Sequence, residues 1–257
     1  MTDRKMVLCG ITDAEDKMFL SHICDLCDRS DKTGMIMYTR FMTPRQAHLV
    51  GERLSHIYDI RFFGGFDGAE RLMAAVVPND WEEISYPMCA VRVDNLSKKE
   101  LSHRDYLGSI LALGITRDNL GDIAVAEDGA YVLSCVDIAD YIVTNLTKIG
   151  SSGVRLSVAE DVSALEITKN FKTISATVSS MRLDCIVSAM TGKSRSVASE
   201  LISDGLVSVN YDEVKSVSHT VKDKDVLSVR GFGKARVETD MTLTKKGRTH
   251  INIQKYI

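Results

Sequence analysis

The chain has 257 residues, of which 44% are hydrophobic and 26% charged, and its formal net charge is −3. This composition is typical of a globular protein long enough for two or three domains, and it excludes a disordered or fibrous chain. No apolar stretch could span a bilayer, and the run from Met6 to Ile11 is too short for a signal peptide, so we expect a cytoplasmic protein without a membrane partner.

The first part of the chain is predicted to be an N-terminal α/β domain covering residues 1–79. Helices are predicted at Asp13–Asp28 and at Pro44–Ile57, the second with Thr43 as its N-cap. Strands are predicted at Met35–Tyr38, Ile60–Phe63 and Leu72–Val77.

The cysteines and histidines do not have the spacing of a metal site. Cys24 and Cys27 form the only Cys-x-x-Cys pair and fall within the first predicted helix, so we interpret them as helix residues, with zinc or redox chemistry as the minor alternative. In the cytosol all six thiols should be reduced. We therefore expect no metal and no cofactor.

A glycine-rich segment, Phe62 to Arg71, joins the last two strands of this domain. Three glycines and three aromatics could form a loop that stacks an unpaired base, with Arg71 on a phosphate. The alternative, which we favour for the segment taken alone, is a hairpin whose aromatics pack inward.

Residues 80–165 have the element order β-α-β-β-α-β, which predicts a ferredoxin-like plait. The predicted elements are Cys89–Asp94, His103–Leu113, Asp122–Ala126, Tyr131–Cys135, Ile138–Leu146 and Val154–Ala159. RNA-recognition domains share this fold and stack bases on aromatics of the two central strands, but here only Tyr131 is available. Base stacking on this sheet is therefore not expected.

The tripeptide His103-Arg104-Asp105 resembles part of a kinase catalytic loop. A kinase is excluded because the chain has neither the glycine-rich phosphate loop nor an Asp-Phe-Gly motif. His103, Arg104 and Arg117 are candidates for additional RNA contacts; the two arginines could equally pair with Asp105 and Asp118.

After a predicted linker at 166–180, residues 181–257 are predicted to form a small basic domain. Its first helix carries an apolar stripe from Leu183 to Met190, and its second begins at Ser194 to Ser196 and ends at Gly205. Strands follow at Leu206–Val209 and Asp225–Arg230, and the tail is predicted to be a β-hairpin turning near Lys245 to Arg248.

The charge of the chain is concentrated in this domain. From Ser180 onward there are 13 basic and 9 acidic residues, against 19 and 26 in the rest of the chain. Lys193 and Arg195 flank the start of the second helix, where free N–H groups and the helix dipole also attract phosphate. The predicted RNA-binding residues are Arg182, Lys193, Ser194, Arg195, Ser199, Asn210, Arg230, Lys234, Arg236, Lys245, Lys246 and Arg248.

The pattern Arg182-Leu183-Asp184, Ser194-Arg195, Gly205, Val209-Asn210 and Ser228 to Lys234 resembles the alpha-L RNA-binding motif of the fourth protein of the small ribosomal subunit. Together with GGFDGAER at 64–71 and LSHRDYLGSILALGITRDNLGDI at 101–123, it makes the whole chain similar to the YlmH proteins of bacteria. The resemblance implies a non-catalytic protein that binds ribosomal RNA and tRNA on the large ribosomal subunit, in quality control of stalled peptidyl-tRNA complexes. Genes of this family lie beside cell-division genes.

Two other function classes are weighed against this one. A pseudouridine synthase also carries this motif and an Arg-Leu-Asp segment, but its catalytic domain normally follows the motif, and only 27 residues, Gly231 to Ile257, come after it here. A cell-division-linked interaction protein is the other alternative. No nucleophile and base are paired by a known motif, and no small-molecule substrate is predicted.

Overall fold

The computed structural model describes residues 4–78, 83–97, 99–159, 171–243 and 248–256. The chain divides into two compact units, Met1–Ile167 and Thr168–Ile257. The domain boundary predicted near residue 79 does not separate compact units, because one apolar cluster joins both sides of it: Phe41 and Met73 pack with Met88 and Leu133.

The N-terminal part of the first unit is a three-stranded sheet packed against helices. Its elements are α1 (Arg4–Leu8), α2 (Ala14–Thr33), β1 (Met37–Tyr38), α3 (Pro44–Leu54), β2 (Asp59–Phe63) and β3 (Met73–Val77), with sheet order β1-β3-β2. Thr43 caps α3 with Gln46, as predicted for the cap. Helix α2 is longer than predicted because it ends only at Gly34, whose φ is +66°.

The second half of this unit confirms the β-α-β-β-α-β order. Its elements are β4 (Met88–Asn95), α4 (His103–Leu111), β5 (Leu120–Ala126), β6 (Gly129–Cys135), α5 (Val136–Asn145), β7 (Lys148–Ile149) and β8 (Ser152–Ala159). The sheet order is β5-β6-β4-β8-β7, and all its pairs are antiparallel. Helices α4 and α5 cover one face through Tyr106, Ile110 and Ile142, each at most 1% exposed.

The second unit packs two helices on one face of a six-stranded sheet. Its elements are β9 (Phe171–Val178), α6 (Leu183–Thr191), α7 (Arg195–Ser203), β10 (Val207–Val209), β11 (Asp212–Glu213), β12 (Val226–Val229), β13 (Gly233–Leu243) and β14 (Thr249–Tyr256). The sheet order is β11-β10-β12-β13-β14-β9. The predicted tail hairpin is confirmed by the pairing of β13 with β14, while its tip at 244–247 lies outside the described residues.

The prediction of a linker at 166–180 is wrong for its second half. Residues 171–178 form β9, which pairs with the whole of β14. Apolar and polar residues alternate along this strand. Ile174 and Ala176 pack against the core with the helices, and the residues between and beside them, Thr173, Ser175 and Thr177, are exposed. This period of two is that of a half-buried strand, so the segment belongs to the C-terminal domain.

Candidate nucleic-acid interface

The start of α7 places two cations beside the backbone N–H groups of a helix N-terminus. Gly192 ends α6 with φ +69°, and Ser194 caps α7 by accepting a hydrogen bond from the N–H of Val197 at 3.4 Å. Lys193 and Arg195 are exposed on either side of this cap. A helix N-terminus with flanking cations attracts phosphate.

A buried carboxylate organises the arginines at this helix end. Asp184 is 3% exposed, and its oxygens lie 3.1 Å from Arg182 Nε and 2.5 Å from Arg195 Nη2. Burial alone would raise the pKa of Asp184, but the hydrogen bonds from Arg182 and Arg195 outweigh it and lower the pKa to about 2. The carboxylate therefore stays ionised and fixes both guanidinium groups at one place.

The contact between Asp184 and Arg195 was not predicted from the sequence, although both residues belong to the motif quoted above. Arg195 follows Asp184 by eleven positions, and only the packing of α7 and α6 in one core brings the two together. Because the pair neutralises one positive charge, Arg182, Lys193 and Arg195 together supply two net charges rather than three.

The predicted basic residues do not form one continuous surface. Ala235 and Val237 of β13 are fully buried in the core with α6. Side chains alternate along a strand, so Lys234 and Arg236 lie on the opposite face of the sheet from the helices. The single phosphate-facing surface predicted from sequence is therefore corrected to two groups: Arg182, Lys193 and Arg195 at the helix ends, and Lys234 and Arg236 on the outer face of the sheet.

Two of the predicted polar contacts have structural roles. Asn210 Nδ2 donates to Asp225 Oδ1 at 2.8 Å, and Asn210 Oδ1 accepts from the N–H of Val226 at 2.9 Å. Ser199 Oγ donates to the carbonyl of Arg195 at 2.8 Å. The Asn210 amide is therefore bonded within the domain, and the Ser199 hydroxyl proton is bonded within its own helix.

The remaining tail residues are only partly described. Arg230 is exposed in the turn after β12, and Arg248 is exposed just before β14. Lys245 and Lys246 lie outside the described residues.

The glycine-rich segment is a structural loop, as the favoured alternative predicted. Phe66 packs inward and is only 9% exposed, but Phe63, which pairs with Met73 across the hairpin, is 37% exposed, so the expected inward packing of the aromatics is confirmed only in part. The Asp122 carboxylate accepts the backbone N–H groups of Glu70 and Arg71 at 2.7 and 3.2 Å. The loop is thereby attached to β5.

Arg71 is a structural residue, which corrects its assignment as a phosphate contact. It is 9% exposed, and its guanidinium donates to the carbonyls of Leu120, Phe41 and Arg117 at 2.8, 2.9 and 3.1 Å. Burial lowers the pKa of Arg71. These bonds join the two halves of the first unit.

The other predicted RNA contacts in this unit differ in how exposed and how strongly hydrogen-bonded their side chains are. Arg117 is half-buried and donates to the carbonyls of Leu120 and Gly121, and burial lowers its pKa to about 10. Burial and the nearby Arg117 lower the pKa of His103. Arg104 is exposed on α4 and stays available for RNA.

The open face of the plait is not a base-stacking platform. Ala90, Leu133 and Cys135 on this face are at most 1% exposed and are covered by Phe41 and Met73. Farther along the sheet, the guanidinium of Arg92 lies 4.8 Å from the centre of the Tyr131 ring and is paired with Asp94 and Asp128. One face of the Tyr131 ring is therefore covered by a guanidinium that two carboxylates hold in place.

The structure adds two observations on cysteines and helices. Cys24 and Cys27 are fully buried in α2, and burial raises the pKa of both thiols, to about 12 for Cys27. None of the helices in the part of the chain described above combines the length and hydropathy of a membrane span.

Comparison with known proteins identifies the family. A family model described as a putative RNA-binding domain in YlmH matches residues 83–162, and the S4 domain model matches residues 181–227. The ribosome-associated protein quality control protein P2 of Bacillus subtilis (strain 168) is 31% identical over 222 residues, covering 84% of this chain and 86% of the relative. The solved structure of the cell division protein ylmH from Streptococcus pneumoniae is 21% identical, with a TM-score of 0.49 over 58% of this chain and 94% of that one. The chain therefore belongs to the YlmH family of RNA-binding proteins and has an S4 domain at its C-terminus.

Proposed function

We propose that this protein binds ribosomal RNA or tRNA on the large ribosomal subunit and acts in quality control of stalled complexes that carry peptidyl-tRNA. The name of the Bacillus subtilis relative supports a ribosome-associated role. The single observation that carries the proposal is the helix end in the S4 region, where Lys193 and Arg195 flank a capped N-terminus and Asp184 fixes Arg195.

The recognition mode follows from the chemistry of this helix end. Ammonium and guanidinium groups beside backbone N–H donors suit phosphate oxygens, which are the same in every nucleotide. Binding would therefore depend on the shape and backbone charge of a structured RNA, with little readout of bases. Arg182 adds a second guanidinium, which Asp184 holds beside that of Arg195.

We propose binding without catalysis. Asp184 lies in the Arg-Leu-Asp segment that pseudouridine synthases also carry. Its carboxylate accepts hydrogen bonds from Arg182, Arg195 and the N–H of Cys185. Those bonds give it a positioning role. The protein would work in the cytoplasm, where its buried thiols stay reduced.

The first unit would add contacts rather than the main affinity. Its plait sheet is covered by the N-terminal part, so we assign any RNA contact there to exposed Arg104, or the unit to docking on a ribosomal protein. This role is secondary to the S4 region.

Sucrose-gradient sedimentation of lysate tests the proposal. The wild-type protein should migrate with large subunits at low salt, and RNA crosslinked to it should be ribosomal RNA or tRNA. Lys193→Ala combined with Arg195→Ala should shift it to the top of the gradient. The matched control is Lys17→Ala with Lys32→Ala, which removes the same charge from exposed positions of α2. A wild-type protein found only at the top of the gradient contradicts the proposal.

A further inference from the structure

A groove of about 480 Å³ lies at the outer face of the C-terminal sheet, where β10, β12 and β13 meet. Outward-facing Ser208, Ser228 and Lys234 occupy neighbouring positions across the three strands. Tyr211, Glu213 and Arg230 complete its polar lining, while Gly231 and Gly233 leave one wall without side chains. The groove is outside the helix-end group assigned to phosphate binding.

The backbone at Tyr211 is unusual for an aromatic residue. Asn210 and Tyr211 are the two central residues of the turn that joins Val209 to Asp212, and their φ angles are +49° and +73°. A turn with two positive φ angles favours Asn followed by Gly. Asparagine tolerates this region, but a bulky aromatic residue there is strained. A tyrosine in the glycine position is therefore not explained by the turn.

The ring of Tyr211 is paired with a cation. Lys234 Nζ lies 4.8 Å from the ring centre, a cation–π distance. Arg230, exposed in the next turn, lines the same groove. The one carboxylate of the lining, Glu213, is paired with Lys215 at 3.1 Å. The groove therefore combines a half-buried aromatic ring, on which a base can stack, with two cations and two hydroxyl groups, which can contact phosphate and sugar.

We propose that this groove binds an unpaired nucleotide of the RNA, with its base stacked on Tyr211 and its phosphates at Lys234 and Arg230. Protein sites for single-stranded RNA combine such an aromatic platform with backbone-tracking cations. The proposal rests on the RNA-binding function proposed above and extends it. The S4 region would then contact RNA on two faces, with structured RNA at α7 and a single-stranded segment at the outer face of the sheet.

The positive φ angle makes a sharp test available, because Tyr211→Gly removes the ring and relieves the backbone at the same time. In the full-length protein we expect Tyr211→Gly to raise Tm by about 2–4 °C. We expect the same variant to weaken binding of a ten-nucleotide single-stranded RNA by about 5- to 150-fold, the range for loss of one aromatic stack. Tyr211→Phe should bind within about twofold of wild type, since the ring is kept.

Fluorescence anisotropy with the labelled single-stranded RNA measures these affinities, with a hairpin RNA as the second probe. Tyr141→Ala, which removes a tyrosine 48% exposed on α5, is the control and should bind like wild type. Equal single-strand affinity of Tyr211→Gly and wild type would overturn the proposal. If large subunits still bind wild type, only this inference fails, and the proposed function stands.

Discussion

Replacing Asp184 by Asn tests whether the buried carboxylate holds the helix end together. Asp184 is 3% exposed and bonded to two arginines, which lower its pKa from an ordinary 3.8 to about 2 against the opposing effect of burial. By linkage, this difference corresponds to about 2 kcal/mol of stability at neutral pH. The arginine side chains are 44% and 56% exposed, so screening by solvent reduces the expected loss to about 1–2 kcal/mol.

The destabilisation by Asp184→Asn should depend on pH. A carboxyl group with a lowered folded-state pKa stabilises the protein above its unfolded pKa, and this contribution is lost as the pH falls toward 2. The destabilisation by Asp184→Asn should therefore be full above about pH 5 and roughly half as large at pH 3. Urea unfolding of both proteins at pH 7, 5, 4 and 3 measures it. A loss that is absent at pH 7, or one that grows as the pH falls, would refute the reasoning.

Three further outcomes are expected from the contacts described above. Arg71→Ala should lower the free energy of unfolding of the first unit by about 2–4 kcal/mol, because three buried carbonyl bonds from a charged donor are lost, while affinity for hairpin RNA stays unchanged; calorimetry and anisotropy check both. Asn210→Gly keeps a permissive backbone but removes the bonds to Asp225 and Val226, so Tm should fall by an amount equivalent to about 1–2 kcal/mol without a change in the salt slope of RNA binding. Arg104→Ala should leave Tm unaltered, since the side chain is exposed, and a large fall in Tm would show an unrecognised structural role.

Local patterns in the sequence predicted most elements. The period of two in β10 and β12, the cap at Thr43 and the glycine ends of α6 and α7 depend on neighbouring residues only, and the structure has each of them. The order of the plait followed from these elements because few topologies connect them. The strand β9 was missed although its alternation is local, and its partner β14 lies more than seventy positions later along the chain.

The candidate site was predicted less completely, for a related reason. Lys193, Ser194 and Arg195 were placed correctly because a helix start is a local feature. The pairing of Arg195 with Asp184, the burial of Arg71 and the division of the basic residues between two sheet faces all depend on packing between distant segments. The sequence shows which residues are basic, but only the fold determines which of them are exposed to solvent.

The most direct test of the central claim is the salt dependence of binding to purified large ribosomal subunits. For Lys193→Ala with Arg195→Ala, the slope of log affinity against log salt should become shallower by about 1.4–1.8, since each lost phosphate contact contributes about 0.7–0.9. Lys193→Ala alone leaves the Asp184 ion pair intact and should remove about half of that. The control Lys17→Ala with Lys32→Ala should keep the wild-type slope. Wild-type affinity and slope in the double variant would contradict the assignment of RNA binding to the start of α7.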